Sequence, residues 1–145
     1  MATTFGQVFD IALWKFRDRD IADMQASDAE AVLSRHLMAA SSHALMITHD
    51  PAFEIDYENK VFLTDLTNTQ IEILATGVAY EWYSRKVLNS ETIRNRLSNK
   101  DYSNHSPGTL LESMTKLRDQ LKYELDVKLN EYSYAEGDVS TWTTR

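Results

Sequence analysis

The sequence contains no cysteine. Disulfides, thiolate nucleophiles and sulfur-ligated metals are thereby excluded, and the redox compartment is left open. Proline and glycine are scarce, two and four in 145 residues, which disfavours architectures built from many short strands and tight turns. No apolar run approaches the roughly 18 residues that a membrane-spanning helix needs. The opening MATTFGQVFDIALWKF has neither a basic flank nor a small-residue cleavage site, so it is not read as a signal peptide. Positive charge is in deficit: 15 Lys and Arg stand against 22 Asp and Glu, for a net charge of −7. That balance argues against a broad grip on a nucleic-acid backbone while leaving room for a local basic patch.

What is present is an ordinary globular mixture, 43 % hydrophobic and 26 % charged, in a length that suits one domain with a core of normal size. The expected organisation is a single helical domain over residues 1–137 and a short tail over 138–145. From Phe5 the apolar residues fall at Phe5, Val8, Phe9, Ala12, Leu13 and Phe16, the stripe of an amphipathic helix. Ile11 and Trp14 lie roughly opposite, so this helix is apolar on two faces.

Ser27 followed by Glu30 reads as a capping box, opening a helix with Leu33, Leu37, Ala40, Ala44 and Ile47 on one side. Asp50-Pro51 should stop it, because a residue before proline resists the α region. Partial alternation at Phe53, Ile55 and Tyr57, then at Val61 and Leu63, predicts an extended arm or weak hairpin near 51–65 that turns at Glu58-Asn59.

Thr67-Asn68-Thr69-Gln70 is a second capping box, followed by Ile71, Leu74, Val78 and Trp82 at helical spacing. This should be the central helix, with Gly77 marking a close backbone approach. Ser90-Glu91 is expected to cap a separate short helix through Leu97, with SNKDYSNHSPG as a loop. Ser106 precedes Pro107, and proline suits the first position of a helix, where its missing N–H is not needed. Behind it run Leu110, Met114, Leu117, Leu121, Leu125, Leu129 and Tyr132, a long amphipathic helix ending near Gly137. The fold class read from the sequence is therefore mainly α, a small helical bundle with one long C-terminal helix.

Candidate chemistry is thin. His105-Ser106 invites a nucleophile-and-base reading, but chain neighbours rarely orient for it and no Gly-x-Ser-x-Gly elbow is present, so Ser106 is read as a helix cap. His36 and His43 share a helix face but sit about 10 Å apart along the axis, too far for one ion. No catalytic residue, metal or cofactor is assigned. The concentrated basic patch is Arg85, Lys86, Arg94, Arg96 and Lys100, which reads as half of an ion-pair set at a subunit contact or as a solvated face. Tyr80, Trp82 and Tyr83 beside it read as core, although an aromatic-plus-Arg surface is also what partner interfaces use.

Several segments together carry a resemblance. LTD at 63–65, EILATG at 72–77, Glu81-Trp82, and KDYSNHSP at 100–107 ahead of a long charged helix resemble the head–tail connector proteins of tailed bacteriophages, also called neck or adaptor proteins. Phe9-Asp10-Ile11 is compatible with the opening of that family. Val78 stands where the family has Met, and Gly108-Thr109 follows the Ser-Pro pair where Ala-Asn is more familiar. The resemblance covers the chain from about residue 60 to 130.

It implies a structural virion protein with no enzymatic activity, forming a ring, usually a dodecamer, beneath the portal. Such a ring extends the DNA channel, meets the tail or the next neck protein, and passes DNA without reading its sequence. The location implied is the head–tail junction, with host cytoplasm during assembly and no membrane partner. The candidate interface residues are Ile11, Trp14, Arg85, Arg94, Arg96, Tyr102, His105 and Trp142. The alternative is a small helical DNA-binding or regulatory protein that uses the basic patch at 85–100.

Overall fold

In the computed structural model, which describes residues 2–15, 26–96 and 107–136 with side chains over 2–15, 28–89 and 112–134, the chain is mainly helical. Helix α1 spans Phe5–Leu13, α2 Ala26–Thr48, α3 Asn68–Arg96 and α4 Pro107–Glu136. Between α2 and α3 lie a 3₁₀ turn, Pro51–Phe53, and a two-stranded hairpin, β1 Ile55–Asp56 and β2 Val61–Phe62.

Two Thr-x-x-Gln stretches start α1 and α3 in the same way. The Gln7 amide donates to Thr4 Oγ1 at 3.3 Å while Gln7 Oε1 accepts from the Thr4 amide at 2.8 Å. Gln70 and Thr67 repeat the exchange at 3.3 and 2.8 Å. Each reciprocal cap satisfies two orphan helix donors, and losing an N-cap side chain costs about 0.5–2 kcal/mol. The Thr67 box matches the sequence reading; the Thr4 box carries the same signal and was not among the expected ones. The Ser27 side chain, on which the other expected box depends, lies outside the described residues. Helix α2 begins at Ala26, one residue ahead of Ser27, and Glu30 accepts a 2.9 Å hydrogen bond from Lys60 Nζ on the hairpin turn.

The stripes predicted for α1 and α2 are buried at Phe5, Val8, Phe9 and Ala12 and at Leu33, Leu37, Ala40 and Ala44, but the first fails at Leu13 and the second at Ile47; Phe16, also in the first, lies outside the described residues. Leu13 is 44 % exposed because eight residues on from Phe5 is about 80° around the helix. Ile47 is also 44 % exposed: a strict seven-residue repeat drifts by about 20° per heptad, and two heptads carry it off the buried stripe. Ser34 and Ser41 occupy buried positions in its place.

Helix α3 is the hub. It packs against α1, α2 and α4, and every residue from 73 to 79 is buried. The expected interruption at Asn89-Ser90 is absent, and α3 runs unbroken to Arg96. A Ser-Glu pair permits a helix start but does not force one, and no Gly or Pro stands there to end the preceding helix. Helix α4 buries Leu121, Leu125, Leu129 and Tyr132 on the side that faces the core. Pro107 is the first residue of α4, as its sequence position predicts; the expected Ser106 cap and Gly137 C-cap lie outside the described residues.

The segment at 51–65 is the hairpin alternative, paired antiparallel in the register Ile55 with Phe62 and Asp56 with Val61. Asp56 holds its turn by accepting from the Asn59 amide at 3.2 Å and from Asn59 Nδ2 at 2.7 Å. Lys60 closes the turn with φ 57°. The N-terminal strand segment covers the outer edge of the hairpin: the Phe62 amide donates to the Thr3 carbonyl at 2.8 Å and the Phe5 amide to the Lys60 carbonyl at 3.0 Å. Phe5 then meets Phe62 edge-on, ring centroids 5.6 Å apart.

Candidate interaction surface

Three structural features bear on function: the outer side of α1, the cleft between α2 and α3, and the outer side of α4. On α1 the inner stripe is committed to the core, while Ile11 is 37 % and Trp14 88 % exposed. Ile11 and Trp14, about 60° apart around the axis, form an exposed apolar pair at the C-terminal end of this nine-residue helix, while exposed Leu13 lies on another side. Lys15 fixes this end of α1 to α3 through a 2.6 Å ion pair with Glu72.

The cleft arises because α2 and α3 pack side by side with matching i, i+3, i+4, i+7 stripes along their solvent edge. Its volume is about 500 Å³, with Val32, Arg35 and His36 on one wall and Glu81, Ser84 and Arg85 on the other. His36 is packed edge-on against the Trp82 ring, centroids 5.9 Å apart. Burial lowers the His36 pKa below the ordinary histidine value, and the Arg85 guanidinium lowers it further. Burial raises the Glu81 carboxyl above the usual glutamate range, an effect that the charge of His43 partly offsets.

Neither Arg35 nor Arg85 has a carboxylate partner among the described residues, and the Ser84 hydroxyl is buried with no hydrogen-bond partner. The cleft is thus polar, mixed in charge and incompletely satisfied. Among the described residues no group of three or more His, Asp or Glu comes together as a metal-ligand set.

The basic patch divides. Arg85 is exposed in the cleft, whereas Lys86 is half-buried with its ammonium 5.8 Å from the centre of the Trp82 ring. Trp82 and Tyr83 are buried and Tyr80 half-buried, so the aromatics beside the patch belong to the core. Arg94 and Arg96 fall in the last turns of α3, where side chains are not described; Lys100, Tyr102, His105 and Trp142 lie outside the described residues.

Ile11 and Trp14 are not gathered with Arg85. The Lys15–Glu72 pair places their end of α1 beside Glu72, thirteen residues and about 20 Å along α3 from Arg85. The sequence singled out Arg85 but missed Arg35, Glu81 and Ser84. Their helical spacing was visible, yet only the pairing of α2 with α3 turns two separate stripes into one cleft.

On α4 the outward positions Asp119, Tyr123, Asp126 and Asn130 are all exposed, Tyr123 to 72 %. Asp119 is occupied by Arg118 at 3.1 Å. No helix among the described residues is long and apolar enough to cross a membrane. In comparisons with protein-family models, curated proteins and solved structures, nothing matches the chain.

Proposed function

We propose that the chain is a structural subunit of the tailed-phage head–tail connector kind, assembling into a ring that joins the portal to the tail or the next neck protein and lines the passage for DNA. The observation that carries this reading is the exposed apolar pair on α1. A tryptophan 88 % exposed beside exposed Ile11, on a helix whose inner stripe is fully used by the core, is surface that a partner would cover. The resemblance at 63–107 supports the same reading, and a net charge of −7 suits a wall that DNA slides past rather than adheres to. Arg94, Arg96, Tyr102, His105 and Trp142 complete the proposed contact set.

Native mass spectrometry of the full chain, alone and mixed with portal protein, tests the proposal. Closed rings or portal-bound rings are expected for the wild type, and their loss with an unchanged monomer fold is expected for Trp14→Ser. A protein absent from the head–tail junction of particles viewed by cryo-microscopy overturns the proposal. A duplex-DNA affinity that falls steeply with salt, with a slope flattened by Arg94→Ala or Arg96→Ala, would favour the DNA-binding alternative instead.

A further inference from the structure

The cleft between α2 and α3 has the properties of half an interface. Its polar groups are placed but not satisfied: two guanidiniums on facing helices, Arg35 and Arg85, have no carboxylate partner among the described residues, and the Ser84 hydroxyl is buried without one. A buried hydroxyl without a hydrogen bond destabilises the fold, so such a group marks a position that a ligand atom can improve. The rims are apolar, with Val32 half-buried and Leu88 54 % exposed. An open trough between two helices, with an apolar rim and a guanidinium on each wall beside the single Glu81 carboxyl, fits an amphipathic helix bearing acidic groups better than a small molecule.

The chain itself carries such a helix. Along α4 the exposed positions 119, 123, 126 and 130 follow one another at gaps of four, three and four, which is one side of a helix. They present Asp119, Tyr123, Asp126 and Asn130, two acids and an exposed tyrosine with no lysine or arginine among them. Asp119 is already held by Arg118, but Asp126 has no partner among the described residues. Tyr123 offers an aromatic ring and a hydroxyl donor, the combination favoured at protein interfaces.

We propose that the α2–α3 cleft receives the Asp119–Tyr123–Asp126 side of α4 from a second copy of the chain, with the incoming Asp126 carboxylate between Arg35 and Arg85. A guanidinium–carboxylate contact supplies geometry as well as charge, because the planar fork can bond both oxygens. The Tyr123 hydroxyl is then available to donate to the half-buried Glu81 carboxylate. Cleft and stripe are unlike surfaces on different helices, so the contact is heterologous. It propagates from copy to copy, and it closes into a ring when the rotation between copies allows. The proposal rests on the ring reading above and names its contact surfaces.

Charge exchange in the full-length chain tests it, read by sedimentation velocity over a concentration series. Arg85→Glu alone and Asp126→Lys alone are each expected to weaken self-association about ten-fold or more, since each sets like charges opposite one another. The chain carrying both substitutions is expected to recover most of the loss, because the pair is re-formed with its signs exchanged. Raising salt to about 1 M, where the screening length is about 3 Å, should weaken the wild type and the double variant alike.

Both positions are exposed, so the single variants should keep the wild-type circular dichroism and Tm; Arg35→Glu is a second probe of the same cleft should one of them not fold. Rings that persist unchanged in both single variants overturn this contact and leave the ring reading intact. Loss and recovery of association in open chains without closure upholds the contact and overturns the ring. A wild type that stays monomeric throughout the series overturns the contact.

Discussion

A methyl group added at Gly77 would stand 2.8 Å from Cβ of Ala40, closer than two carbon side-chain atoms normally approach. Helices α2 and α3 therefore meet backbone to backbone at this crossing, and the glycine is needed for space. Alanine is a better helix former by up to about 1 kcal/mol, but an extra methyl in a packed crossing costs about 1–3 kcal/mol. Gly77→Ala should lower stability in chemical denaturation and reduce Tm by several degrees. Ala40→Gly in the same chain should return part of the loss; a Gly77→Ala variant more stable than wild type would show that the helices can move apart freely.

Tyr132 connects three parts of the chain through one oxygen. Its hydroxyl donates to Asp50 Oδ2 and accepts from Gln70 Nε2 at 2.9 Å, so α4 is tied to the turn after α2 and to the first turn of α3. Tyr132→Phe keeps the ring against Phe53, centroids 5.5 Å apart, while leaving the buried Gln70 amide without this acceptor. A loss of about 1–3 kcal/mol is expected in urea unfolding. Tyr123→Phe, on the exposed side of the same helix, should change monomer stability by less than about 0.5 kcal/mol.

Thr3 performs a similar task near the N-terminus. Its buried hydroxyl accepts from the Leu66 amide at 2.8 Å and donates to Asp65 Oδ1 at 3.2 Å, and its carbonyl and amide join the hairpin edge. Thr3→Val has nearly the same shape but leaves the Leu66 amide unpaired. Hydrogen exchange at Leu66 should accelerate at least about five-fold, the equivalent of the lower end of a 1–3 kcal/mol penalty. Unchanged protection there would mean that the N-terminal segment opens independently of this bond.

The cleft gives stability two opposite pH dependences. His36 has a folded-state pKa below 6.5, so it binds fewer protons folded than unfolded; its contribution is present above pH 6.5 and is lost as pH falls through the lower folded value. Glu81 has a folded-state pKa above 4.5, so its contribution is present below pH 4.5 and is lost as pH rises through the higher folded value. His36→Phe should flatten the acid limb below pH 6.5 in a pH series of denaturation midpoints. Glu81→Gln should raise the midpoint at neutral pH and leave it nearly unchanged near pH 4. The opposite signs would show that the cleft stabilises the charged forms of both groups.

The sequence foretold the helices wherever a period of 3.6 was clean, as at Leu121, Leu125 and Leu129, and foretold the Thr67 cap and the tight approach at Gly77. It misled at the ends of stripes. Leu13 and Ile47 satisfied a spacing rule while drifting round the helix, and Ser90-Glu91 carried a start signal inside a helix that nothing interrupts. Contacts between residues far apart were not legible: Tyr132 and Asp50 are 82 positions apart, and no local pattern joins them. The same holds for the cleft, where Arg35 and Arg85 lie on two helices whose pairing is set by the whole core. Ile11 and Trp14 were legible as a surplus of apolar residues, because one helix cannot bury both of its sides in a bundle of this size.

The complete burial of residues 73–79 has a consequence for how this chain tolerates change. A helix with one wet side accepts substitutions on a rhythm of three and four, alternating permissive and forbidden positions. In the middle of α3 that rhythm has no place to appear, since Ile73, Leu74, Ala75, Thr76, Gly77, Val78 and Ala79 all face neighbours. A saturation scan would therefore record an unbroken seven-residue band of intolerance, with the periodic pattern resuming only from Tyr80 onward. Descendants of this sequence are free to diverge at exposed positions outside the proposed contacts, but their shared ancestry would remain readable longest in that short central word.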